Sequence, residues 1–174
     1  MRPIERVLTL WQLGFLSTER VIAWADNEIL RHPEPPQEAI DLSLDGPESC
    51  LKRAEFEFSA RPAVLTYGQE FSLRAVLMSL TSDSEVLGFA AWMSRSAMGE
   101  DLDLPEVALA YQVDHLLNDC NEIRAAVDMI RKEMPALLPL CAVNAAPFLE
   151  QMPNPSIERG VQGLSPLDAP HVKR

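Results

Sequence analysis

Between Pro105 and Pro135 the chain carries about thirty residues without an internal glycine or proline. Within that stretch Leu109, Val113, Leu116, Cys120, Ile123, Val127, Ile130 and Met134 recur at alternating steps of four and three. That spacing keeps apolar side chains on one face of a helix, so the segment reads as a helical seam and as the spine of the molecule. A helix over residues 105–134 spans on the order of 45 Å at 1.5 Å per residue. The competing reading is two helices broken near Asn118. Asp119-Cys-Asn-Glu122 has the form of a capping box, and Asn and Asp side chains compete for backbone hydrogen bonds.

The remaining sequence also favours helices. Glycine is scarce and aromatic residues make up 6% of the 174 positions. A first helix over about residues 3–13 places Ile4, Val7, Leu8 and Trp11 on one stripe, with Gly14 ending it. Ser17 or Thr18 opens a second helix, with Val21, Ile22, Ala25 and Ile29 on one face and Trp24 at its edge. Pro33-Glu-Pro-Pro36 interrupts, and Pro36 can begin a short third helix through Ala39, Ile40 and Leu44. Capping residues stand three before Glu or Gln at Asp45, Thr66, Ser82 and Asp103, marking later helix starts. Residues 68–80 are apolar on two sides and form the candidate central element, and residues 85–98 pack against it. Ala54-Glu-Phe-Glu-Phe58 alternates with period two but has no partner strand, so it is read as helix. The expected fold is an all-α, single-domain multi-helix bundle, with seven or eight helices around the long helix near residues 105–134. Residues 1–151 form the helical domain and residues 152–174 a Pro-rich extended tail.

The formal net charge is −11. Residues 1–134 hold 23 Asp and Glu against 12 Lys and Arg, whereas the last forty residues hold three of each. An acidic body repels nucleic-acid phosphates and anionic membranes and complements a basic protein surface. Cys50, Cys120 and Cys141 follow no disulfide framework and fall in apolar sequence, as reduced core thiols of a cytoplasmic protein do. No hydrophobic leader or membrane-length apolar run is present.

Motifs for chemistry are sparse. His115 and Asp119 lie four apart on the polar side of the spine, where they read as an ordinary helical pair and leave a metal under-coordinated. None of the histidines, His32, His115 and His171, has a nucleophile close in sequence. No phosphate-binding glycine loop, nucleophile elbow or zinc-protease motif occurs, so the expectation is a non-catalytic protein with no cofactor and no metal. The densest acidic cluster is Glu100-Asp-Leu-Asp103, followed by Glu106. One reading is helix capping, and the other is a contact for a cationic partner.

The stretch Trp11-Gln-Leu-Gly-Phe-Leu-Ser-Thr-Glu-Arg-Val-Ile-Ala-Trp-Ala-Asp26, continuing to Ile29, resembles the opening of small acidic helical immunity proteins of bacterial toxin systems. The resemblance implies a protein that binds and neutralises one cognate toxin, often a nuclease with a basic cleft. On charge and position the expected contacts are Asp26, Glu28, Glu34, Glu100, Asp101 and Asp103. The alternative is a helical adaptor or regulatory module, for which an exposed seam would drive a homodimer.

Overall fold

The structure is a computed structural model that describes residues 1–149. The tail expected at residues 152–174 lies outside the described residues. The chain is an all-α single domain. Seven α-helices and one π turn follow in order among the described residues: α1 Pro3–Gln12, α2 Thr18–Arg31, α3 Gln37–Leu51, α4 Tyr67–Leu77, α5 Asp83–Ser96, α6 Pro105–Asp114, the π turn His115–Asp119 and α7 Ile123–Leu149.

The first two helices follow their local signals. In α1 the stripe Ile4, Val7 and Leu8 is buried, and Gly14 adopts φ +80° just after the helix. That left-handed conformation is nearly free of steric cost only for glycine. Ser17 caps α2 by accepting from the Arg20 N–H at 3.4 Å. α3 is interrupted inside, because Gly46 takes φ 73° and ψ 165°, outside the helical region, and Pro47 opens a second helical stretch across the kink, next to the start expected at Asp45. Asp41 and Asp45, ahead of the kink, both pair with Arg53 beyond it.

The segment Ala54–Phe58 is neither helix nor strand. It forms a turn in which the Glu57 and Phe58 N–H groups both donate to the Ala54 carbonyl. Phe58 is fully buried while Phe56 is 89% exposed, so the alternation of the sequence records burial and not a ladder. The Arg61 guanidinium holds the segment by donating to the carbonyls of Arg53, Phe58 and Ala60.

The spine is divided differently from the expectation. The seam does not continue as one helix from 105 to 134. After α6 the backbone widens into a π turn, Asn121 takes φ 57°, and a new helix begins at Ile123. Leu109, Val113, Val127, Ile130 and Met134 are buried, whereas Cys120 and Ile123 at the break face solvent. Nor does the helix stop at Pro135, because α7 continues through Pro135, Pro139 and Pro147 to Leu149. All three prolines lie on the exposed side of α7, four or eight residues apart. Each removes one ladder bond, but the carbonyl it frees can be hydrated there. On the opposite side Met134, Cys141, Ala145 and Phe148 are buried, and this apolar contact keeps the helix continuous.

Packing divides the core into an N-terminal cluster built on α1, α2, α3 and Phe58, and a larger cluster built on α4, α5, α6 and α7. Leu10, Leu73, Ala145 and Phe148 join the two. α4 is central, with Phe71, Ser72, Leu73 and Ala75 all buried, as its two apolar faces require. Thr9, buried on the α1 stripe, donates to the Glu5 carbonyl at 2.6 Å and accepts from the Ala63 N–H at 2.8 Å.

Glu38 is a second tie. It accepts from the Ser59 hydroxyl at 2.7 Å and from Arg2 at 2.9 Å, linking α3, the α3–α4 connection and the start of α1. The Ser59 hydrogen bond, followed by Arg2, holds its carboxyl below the usual carboxylate range. A depressed folded-state pKa contributes stability above the unfolded value of about 4.3, and that contribution disappears as pH falls through the lower folded value. Glu38→Gln is therefore expected to lower stability at pH 6 by about 1 kcal/mol and to be nearly neutral near pH 3. Urea midpoints at the two pH values check this, and an equal loss at both would remove the ionic contribution.

Candidate partner-binding site

The acidic knuckle lies between α5 and α6. Ala97 ends α5, Gly99 turns the chain at φ +86°, and Glu100 N–H donates to the Ala97 carbonyl at 3.1 Å. Asp101 then organises the turn. Its carboxylate accepts from the Asp103 N–H at 3.0 Å and its carbonyl accepts from the Leu104 N–H at 3.1 Å. Leu104, and not Asp103, occupies the N-cap of α6, with Pro105 in the first turn. The capping grammar predicted from sequence is thus realised reciprocally at Thr66 and Gln69, and by Ser82 at the head of α5, but not at Asp103.

The knuckle carries more than charge. Met98, Leu102 and Leu104 are 81%, 58% and 42% exposed and alternate with the exposed carboxylates of Glu100, Asp101 and Asp103. Among the described residues no cation lies within ion-pair distance of these three acids. Most of the basic side chains are engaged elsewhere: Arg74 with Glu70, Arg131 with Asp83, Arg53 with Asp41 and Asp45, and Arg31 with Glu28.

Next to the knuckle is an aromatic stack. Tyr67 and Trp92 lie face to face with centroids 5.4 Å apart, Phe89 stacks on Trp92 at 5.8 Å, and the Arg74 guanidinium sits 4.9 Å from the Trp92 ring. The Tyr67 hydroxyl is buried and has no hydrogen-bond partner among the described residues. Burial, with the negative charges of Glu106 and Glu100 beside it, pushes the phenol well above its usual range and keeps it neutral. A Cβ added at Gly68 would stand 3.3 Å from Glu106 Oε1, so a side chain there would press on that carboxylate. Glu106 in turn lines a narrow cleft with Phe71, Ser72, Cys141 and Asn144.

The other expected contacts belong to the α2–α3 hairpin of the N-terminal core. Asp26 accepts a hydrogen bond from the Ser43 hydroxyl of α3. Glu28 is largely covered and pairs with Arg31 at 3.0 Å and His32 at 3.6 Å. Glu34 is exposed in the connection before α3. The structure therefore gathers Glu100, Asp101 and Asp103 at one place and sets Asp26, Glu28 and Glu34 in another cluster.

A second constellation lies at the π turn. Asp114 accepts from the Ser94 hydroxyl and from Asn118 Nδ2, the latter at 2.6 Å, and the same amide nitrogen lies 2.9 Å from Ser94 Oγ. This knot ties the turn to α5. His115 Nδ1 meets Asp119 Oδ2 at 2.8 Å, and His115 Nε2 lies 3.5 Å from Cys120 Sγ. Cys120 is exposed, which corrects its reading as a core thiol, whereas Cys50 and Cys141 are buried. His115 accordingly does have a nucleophile beside it. The signal in the sequence was the run of helix breakers Asn118, Asp119 and Asn121 around that cysteine. Among the described residues no group of three His, Cys, Asp or Glu side chains is arranged to hold a metal ion, and no helix is long and apolar enough to cross a membrane.

Comparison with known proteins finds no family model, curated protein or solved structure that matches this chain.

Proposed function

We propose that the protein is a non-catalytic immunity-type inhibitor that binds a cognate toxin protein with a basic surface, using the knuckle Met98–Leu104 as its principal contact. The observation that carries this reading is the pairing, on one short turn, of three carboxylates that meet no cation among the described residues with three exposed large apolar side chains. Apolar anchors surrounded by charge suit a protein partner better than a small ligand. The acids steer a cationic surface into contact, and Leu102 and its neighbours supply the desolvated centre. A net charge of −11 adds long-range attraction toward a nuclease cleft built for phosphates. The adaptor reading draws its homodimer from an exposed seam, but Leu109, Val113, Val127, Ile130 and Met134 of that seam are buried within one copy.

The test is co-expression in bacteria with the product of the adjacent open reading frame. Growth arrest by the neighbour and rescue by this chain support the proposal, and a harmless neighbour removes its main support. Glu100→Lys with Asp103→Lys, which keeps the Asp101 carboxylate that organises the turn, is expected to weaken partner binding about tenfold at low salt, to lose much of that effect at 0.5 M salt, and to leave thermal stability nearly unchanged. Unchanged affinity would take the knuckle out of the interface.

A further inference from the structure

We propose that Cys120 is a site of covalent modification by small cationic disulfides, with His115 as the proton acceptor for its thiol and Asp119 as the residue that positions the imidazole. This inference is independent of the toxin-binding reading.

The geometry follows from the π turn. In an uninterrupted α-helix, residues five apart are separated by about 140° around the axis, so Cys120 would stay on the apolar seam, away from His115. In the π turn the Cys120 N–H donates to the His115 carbonyl at 3.0 Å, five residues back, which stacks the two side chains on the solvent face. Asn121 at φ 57° then turns the chain, and the Glu122 N–H closes the bend on the Leu116 carbonyl at 2.7 Å. The Ser94, Asp114 and Asn118 knot holds the turn in this shape.

The contacts suit one neutral tautomer of His115. In the neutral tautomer that donates from His115 Nδ1 to the Asp119 carboxylate, Nε2 is left with a lone pair facing the sulfur. The Cys120 thiol therefore donates to Nε2, the arrangement that activates a nucleophile through a neighbouring base. As Cys120 Sγ attacks one sulfur of the disulfide R–S–S–R, its proton passes to Nε2, a new S–S bond forms and the old one breaks. The departing sulfur leaves with the electron pair and recovers the proton from His115 as R–SH. Cys120 is oxidised to the mixed disulfide, one half of the reagent is reduced to the thiol, and no further oxidant is needed.

Two observations make the site selective. Burial raises the thiols of Cys50 and Cys141 above their ordinary range and removes them from solvent, leaving Cys120 as the reachable sulfur. The surroundings, with Asp114, Asp119 and Glu122 close in the chain and Arg124 turned to Asp128 at 3.7 Å, favour a cationic reagent over an anionic one.

The experiment treats the folded protein with cystamine and follows adduct formation by intact mass, with peptide mapping to locate it. A single adduct at Cys120 is expected, formed about tenfold faster than in His115→Ala, with oxidised glutathione reacting more slowly than cystamine. Asp119→Asn should fall toward the His115→Ala rate while Asp119→Glu recovers it, a pattern that a purely structural role for Asp119 would not produce. Cys120→Ser should form no adduct. Equal rates in the parent and His115→Ala, or first modification at Cys50 or Cys141, would overturn the assignment. Because His115 and Asp119 are exposed, the variants remain folded, and circular dichroism on the same samples verifies it.

Discussion

Phe71→Ala is expected to destabilise the protein by about 3–5 kcal/mol, close to the upper range for a single core truncation. Phe71 is 1% exposed in the middle of α4, with its ring 5.3 Å from Phe89 and 6.0 Å from Tyr67. Removing it loses the transfer free energy of a whole ring and leaves a cavity at the junction of α4, α5 and α7. Neighbours from those three helices cover most of the ring and are held by their own packing, so collapse into the space is limited. For a chain of this size the loss corresponds to a fall in Tm of about 10 °C. Trp92, stacked within the same aromatic group, provides the fluorescence signal for urea unfolding. A loss below about 1 kcal/mol would mean that α4 is not the central element.

Pro139→Ala is expected to raise stability by about 2 kcal/mol. A proline inside a helix costs about 3 kcal/mol relative to alanine, through the missing N–H and the clash with the carbonyl four residues back. Alanine at position 139 would donate to the Pro135 carbonyl and restore the ladder. Part of the gain is offset because proline also restrains the unfolded chain, by about 0.4–1 kcal/mol. Since Pro139 faces solvent, little packing is lost. The sign is the informative part. A Tm that rises supports a continuous α7 across all three prolines, whereas a marked decrease would indicate that Pro139 ends one helix and begins another.

Much of the architecture was legible because helix termini are local events. Gly14, Ser17, Thr66 and Ser82 mark ends and starts through groups that reach only three or four residues along the chain. The knuckle was legible too, as a dense acidic run between two helical patterns. Its exposed Met98, Leu102 and Leu104 were not, because a leucine in sequence does not reveal whether a neighbour covers it. Glu28 failed as a free acid for the same kind of reason. Arg31 stands one helical turn away and takes up its charge, and the His32 ring lies against the same carboxylate.

The spine shows where local reading ends. Periodicity counted Cys120 and Ile123 as seam members, and proline rules ended the helix at Pro135. Both inferences weigh a residue by its own preference. The structure weighs it by what the rest of the molecule gains. Ser94 of α5 fastens Asp114 and Asn118, the backbone widens, and Cys120 leaves the seam for the His115 side. Phe148 and Ala145 find Leu10 and Leu73, and that burial carries α7 past three prolines. By itself the amino-acid sequence determined the all-α class, most of the helix ends and the acidic character of the body, because these depend on neighbours in the chain. The tertiary structure decided between one spine helix and two, which apolar side chains of the knuckle stay exposed and how far α7 runs past its prolines, because each depends on contacts between residues distant in the chain.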